Sequence, residues 1–231
     1  DDQIQVTVDQ SSYFQFAVDD VEKKVAHHNW TELAIGAAAY AIRDDYDSTV
    51  LTYMKGQAPS ANISGSDSAT ATGDITSTSA GLDLGYDAGE ISPLRLMARA
   101  ARLLDDQNVP EDNRWFVAKP DFWEIMADEN SKLLDHDWSR DSDSKLRNGR
   151  VTDGLIRGFR CYKSNNMPAA TSATNAALWG HMSSTATASQ IAKTEVIRSE
   201  MTFADKVRGM HLYGRKTLRT EALGISYYIV D

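Results

Sequence analysis

The chain has 231 residues, 42% of them hydrophobic and 25% charged, enough for one large domain or two lobes that share a core. Its formal net charge of −9 argues against broad nucleic-acid binding, which needs a surplus of Lys and Arg on one face. One cysteine, Cys161, leaves no intrachain disulfide and no Cys-rich zinc centre, and fits a reducing compartment.

Ile4, Val6 and Val8 alternate with polar residues, Asp9–Ser12 is rich in turn formers, and Tyr13, Phe14, Phe16 and Val18 follow. This spacing predicts two short strands forming a hairpin, which is marginal alone and needs a sheet to lie on. A long helix is expected from Asp19 to Arg43, with Asp19 and Glu22 imitating a capping box. Its stripe runs through Val18, Val21, Val25, His28, Ile35, Ala39, Ile42 and Tyr46. Ala58–Gly81 is mostly Ser, Thr, Ala and Gly, which reads as a loop, a disordered linker or weak surface strands.

Ser92-Pro93 opens a second helix, with Leu94, Met97, Ala98, Ala101 and Leu103 or Leu104 facing inward. Arg95, Arg99 and Arg102 form its other face, a solvated stripe or a contact for an acidic neighbour. Arg114–Lys119 reads as a buried strand and Pro120–Met126 as the start of a third helix. Arg140–Arg150 is polar and looped, and Val151–Tyr162 reads as strand-turn-strand around Gly154 and Gly158. Ala169–Gln190 carries an apolar centre at Ala177-Leu-Trp179, and two closing strands are expected near Thr194–Met201 and Met210–Val230.

Catalytic signatures are missing: there is no phosphate loop, dinucleotide fingerprint, His-Glu-x-x-His or Gly-x-Ser-x-Gly elbow. His27 and His28 are adjacent and diverge on a helix, while His136, His181 and His211 stand alone, so each reads as packed or solvated. Asp105/Asp106 and Asp128/Glu129 are carboxylate pairs at expected helix ends. Asp135, Asp137, Asp141 and Asp143 lack the Gly and terminal Glu of a calcium loop and read as polar surface. Trp115, Phe116, Phe122 and Trp123 read as core rather than as a platform for bases. No catalytic, cofactor or metal residue is assigned. There is no 18-residue apolar run and no basic-then-apolar leader, so neither a membrane span nor a signal peptide is expected. The chain opens on Asp1 rather than Met, as a trimmed product or a missing true N-terminus would give.

Four blocks in order resemble the major capsid proteins of tailed bacteriophages with the Hong Kong 97-type fold. They are Tyr13-Phe-Gln-Phe-Ala-Val-Asp-Asp-Val21, Val109-Pro-Glu-Asp-Asn-Arg-Trp-Phe-Val117, Gly154–Pro168 and Phe203–Leu223, covering most of residues 11–225. The resemblance implies an α+β fold: an extended-loop hairpin at 1–18, a peripheral domain at 19–91 and 193–231 with a spine helix and closing strands, and a mixed α/β axial domain at 92–192. Ile4, Val6, Val8, Tyr13, Phe14 and Phe16 would be extended-loop contacts with a neighbouring copy, since a lone apolar hairpin gains a sheet by pairing in trans.

Its expected partners are copies of itself in hexamers and pentamers, with scaffolding, portal and decoration proteins. It would enclose double-stranded DNA without reading sequence and without a membrane or cofactor, in a virion assembled in the host cytoplasm. An encapsulin shell, which needs a cargo groove, and an acidic cytoplasmic hydrolase with a carboxylate pair are the alternatives. The departures from the family pattern are a missing N-terminal arm, a partial extended loop and the Ala58–Gly81 insertion. No crosslink is transferred to any Lys or Asn.

Overall fold

The computed structural model describes residues 4–19, 30–127, 155–168, 174–200 and 202–230. The helix start expected between Asp19 and His28, Asp128/Glu129, His136, the 135–143 acidic cluster, Arg140–Arg150 and Gly154 lie wholly or largely outside them. The chain runs β1 (Val8–Asp19), α1 (Trp30–Gln57), β2 (Ile63–Ser64), β3 (Ala71–Thr72), β4 (Gly81–Asp83), α2 (Pro93–Asp106), β5 (Arg114–Ala118) and α3 (Pro120–Met126). It continues with β6 (Leu155–Ile156), β7 (Phe159–Lys163), β8 (Asn175–His181), β9 (Thr185–Arg198), β10 (Ala204–Thr217) and β11 (Leu223–Ile229). It divides into a first unit, residues 1–50 and 186–216, and a second, residues 51–185 and 217–231.

The first unit holds a three-stranded sheet in the order β1-β10-β9. β1 is one strand, not two: it pairs antiparallel with β10 from Val8↔Gly214 to Asp19↔Ala204. The turn expected at Asp9–Ser12 is corrected to a register shift between Val8 and Gln10. A bulge there absorbs the extra residue, and the period of two resumes through Ser12, Phe14, Phe16 and Val18. The sheet that β1 needs is therefore supplied by its own chain. β9 and β10 form a hairpin tied by Arg198–Asp205 at 3.0 Å and Arg208–Glu195 at 2.7 Å. Among the described residues of this unit, the buried hydrophobics are Val18, Ala204, Val207 and Tyr213.

The second unit is built on an eight-stranded mixed sheet, β3-β4-β11-β8-β5-β7-β6, with β2 also on β11. Its core joins Leu96, Met97 and Leu104 of α2 and Phe122 and Met126 of α3 to Phe116, Phe159, Trp179 and Tyr228 of the sheet. Each such side chain contributes about 1.5–3 kcal/mol by leaving water. Ser92 caps α2, its Oγ accepting from Arg95 N–H at 3.4 Å, and Pro93 fills the first turn. The buried face is Pro93, Leu96, Met97, Ala100, Leu103 and Leu104. The expected Leu94, Ala98 and Ala101 are half-buried at its flank. Ala177-Leu-Trp179 is fully buried in β8, as read from its apolar run.

Two further expectations are corrected, and one that stood open between alternatives is resolved. α1 continues to Gln57 instead of ending near Arg43. Of the alternatives for Ala58–Gly81, a loop carrying the short strands β2 and β3 is what forms: Asn62 is buried and its Nδ2 donates to Glu221 O at 2.7 Å and Leu223 O at 3.0 Å, drawing β2 onto β11. The closing strand expected from Met210 to Val230 is two strands split at Thr220–Ala222, β10 in the first unit and β11 in the second.

Candidate interaction surface

Within the first unit, α1 and the sheet leave an open cleft of about 420 Å³. From α1, Ile35, Ala39, Ile42, Arg43 and Tyr46 line it at helical spacing; from the strands come Phe14, Met210, His211, Ser189 and Thr194. Its floor is aromatic. Tyr46 meets Tyr213 edge-on at 5.0 Å and His211 at 5.6 Å, while His211 stacks on Tyr213 at 5.4 Å. The buried Nδ1 of His211 has no hydrogen-bond partner among the described residues. Phe14 stacks with Phe16, centroids 6.1 Å apart.

The acidic turn after the cleft is under electrostatic pressure. Burial, and then the neighbouring charge of Asp44, push the Asp47 carboxyl above its ordinary value. Asp45 accepts a hydrogen bond from Ser12 Oγ, tying α1 to β1. The Ile35, Ala39, Ile42 and Tyr46 stripe is where the sequence placed it, but it lines an open cleft instead of a closed core.

Apolar exposure extends over the rest of the unit. On α1, Leu33 is 64% and Tyr40 73% exposed; Tyr13 on β1 and Phe203 at the β9–β10 tip are each 82% exposed. Before Met54 no described side chain of α1 is fully buried. A patch of this kind is unusual on a lone soluble domain and fits a surface that another molecule covers.

The structure separates the residues expected to contact a neighbour. Ile4 is 54% exposed and outside any strand, Val6 is half-buried, and Val8 sits exposed at the bulge. Phe14 and Phe16 turn toward the cleft side of the sheet, whereas Tyr13 points from the opposite side. On α2, Arg95 is exposed, Arg99 is half-buried, and exposed Arg102 lies 3.5 Å from Asp106. Arg43, Ser189, Thr194 and Phe203 were not singled out from sequence. Phe203 lay inside a quoted block, and its place at a hairpin tip depended on splitting the closing strands correctly.

Several of the described groups that could carry chemistry have structural partners instead. Asp105 pairs with the buried Arg114 at 2.6 Å and Asp106 with Arg102, so this carboxylate pair holds a helix end. His181 Nδ1 lies 2.8 Å from Ser183 Oγ and caps a short turn. Phe116, Phe122 and Trp123 are core, and Trp115 is half-buried beside them. Among the described residues no group of three His, Cys, Asp or Glu side chains is placed to hold a metal.

No protein-family model matches the chain, and no curated protein matches it. Solved structures do. A structure from Mycobacterium phage Che8 superposes with a TM-score of 0.72 at 24% identity, over 96% of this chain and 72% of that one. The capsid of cyanophage P-SCSP1u gives 0.69 at 14% identity, over 98% and 73%. The SrpI encapsulin of Synechococcus elongatus gives 0.61 at 8% identity, over 96% and 73%.

Proposed function

We propose that this chain, which has the Hong Kong 97-type fold of phage capsids, is a structural major capsid protein. It assembles with copies of itself into hexamers and pentamers of an icosahedral head that encloses double-stranded DNA. The observation that carries this reading is the first unit. Its described residues bury Val18, Ala204, Val207 and Tyr213 as hydrophobics while Tyr13, Leu33, Tyr40 and Phe203 stand in water. Neighbouring copies supply the missing cover. Head-to-tail contacts repeated around an axis close rings, and many weak contacts per subunit hold a shell.

In this reading β1, α1, β9 and β10 belong to the peripheral domain and residues 92–184, up to the start of β9, to the axial one. The opening strand serves as part of the peripheral sheet, and among the described residues Ile4–Thr7 precede it outside any strand. The net charge of −9 suits a container that must not grip its DNA. Scaffolding, portal and decoration proteins are the further partners, the virion is the location, and assembly takes place in the host cytoplasm. No cofactor or catalytic step enters.

An encapsulin shell is the second reading, supported by the likeness to the Synechococcus elongatus protein. Particle contents, nucleic acid or protein, separate the two. Sedimentation tests the common claim. The unmodified chain should run as megadalton particles, and Leu33→Asp with Tyr40→Asp should keep its circular dichroism but run small. A monomeric unmodified chain, or a double variant that assembles normally, overturns the reading.

A further inference from the structure

We propose that Phe203 of one copy fills the α1–sheet cleft of a second copy, resting on the self-assembly reading above. The same unit carries both halves of the joint: an open, mostly apolar cleft of about 420 Å³ and a phenyl ring 82% exposed at a hairpin tip. The joint cannot close within one chain. Strands rise about 3.3 Å per residue, so Phe203, immediately before β10, sits roughly 23 Å from Met210 at the cleft.

The charges around the two halves are complementary. Arg43 is the formally charged side chain among the described cleft residues, and Glu200 precedes Phe203 by three residues in the β9–β10 connection. Asp47 follows Arg43 by one helical turn, and Lys206 follows Phe203 by three residues. None of these four has an ion pair among the described residues. With the ring seated, Glu200 meets Arg43, and Lys206 relieves the crowding of Asp44 and Asp47. Tip and cleft are different patches, so the contact is heterologous and each copy offers one tip while receiving another. That geometry propagates around an axis where a two-fold pair would stop.

Photocrosslinking tests the contact. Phe203→p-benzoylphenylalanine is assembled from equal amounts of light and ¹⁵N-labelled chain, irradiated and digested for mass spectrometry. The expected product joins position 203 of one isotope to residues 35–46 or 210–211 of the other. Links elsewhere, or only within one chain, overturn the contact. Charge exchange gives an independent measure. Arg43→Glu and Glu200→Arg should each raise the concentration needed for assembly by about tenfold, a cost of the size expected for a close interfacial charge pair. The double variant should restore it, and a double variant no better than the singles counts against the proposal. An unmodified chain that forms no particles sinks the capsid reading itself, whereas particles whose crosslinks miss the cleft sink only this joint.

Discussion

Phe14 faces Gly209 across the β1–β10 ladder, and its ring takes the space a side chain at 209 would need. A Cβ on Gly209 would lie 2.7 Å from Phe14 Cζ, well inside van der Waals contact. The glycine in this otherwise strand-like stretch is thus a seat for an aromatic ring on the neighbouring strand. Gly209→Val should push Phe14 out of the cleft floor and destabilise the first unit by about 1–3 kcal/mol, the usual cost of overpacking. Hydrogen exchange at β1 and β10 amides should speed up while β8 and β11 stay protected. Unchanged exchange in β1 would show that the ring has another resting place. For the same reason Phe14→Asp is expected to loosen the first unit itself and not merely to block assembly.

Arg114 explains a motif whose meaning was hidden in the sequence. Its guanidinium is buried and donates to Pro110 O at 2.8 Å, Val109 O at 2.6 Å and Asp105 Oδ1 at 2.6 Å, locking the turn between α2 and β5. Asn108 and Asn113, both within that turn, adopt left-handed backbone conformations, which asparagine tolerates. Arg114→Met keeps much of the volume but leaves those carbonyls unpaired, costing about 2–3 kcal/mol. That corresponds to a melting temperature roughly 5–10 °C lower in calorimetry. A shift within about 1 °C would mean water replaces the guanidinium.

Alkaline pH should weaken the second unit. Cys161 is fully buried in β7, and desolvation pushes its thiol from 9.0 up to about 12, against a smaller opposing effect from a backbone hydrogen bond at Ile156. The folded thiol stays protonated where the unfolded one ionises. Its contribution is therefore complete below about pH 9 and declines as pH rises toward 12. Burial also raises the Tyr228 hydroxyl, with Asp121 adding to the shift, so the loss steepens above the usual tyrosine range. Urea midpoints should fall between about pH 8.5 and 10, and the fall should be shallower in Cys161→Ala. Equal slopes in both proteins would take the thiol out of the account. In the native protein at neutral pH, Cys161 should resist thiol reagents until urea is added.

Trp179 spans the centre of the large sheet, with Nε1 donating to buried Ser226 Oγ at 3.0 Å and its ring lying over Gly224. Ser226→Ala leaves a buried indole N–H unpaired, a cost of about 1–3 kcal/mol read from denaturant unfolding of the second unit. Stability equal to the parent would show that the hydroxyl is dispensable.

Local signals were readable where one element settled its own structure. Ser92-Pro93 marked the start of α2, and the run Ala177-Leu-Trp179 marked a buried apolar segment, which the structure makes the centre of β8. Arg157-Gly158, both with positive φ, formed the hairpin turn that Gly158 suggested. Other features depended on distant partners. Asn62 is fixed by carbonyls some 160 residues away, so local composition left the Ser/Thr/Ala-rich stretch open between a loop, a disordered linker and weak strands. α1 ran past Arg43 because Asp44, Asp45 and Asp47 need no apolar face on a helix that is exposed along most of its length. The Ile35–Tyr46 stripe was visible, but sequence periodicity does not tell a closed core from an open cleft. The partner of β1 was missed because β10 lies almost 200 residues on, beyond any local pattern.

Electron micrographs of the purified, unmodified chain test the central claim most directly. The account predicts closed particles of uniform diameter whose class averages resolve five-fold and six-fold clusters. A solution of single, cooperatively folding molecules at every protein concentration tried would contradict it.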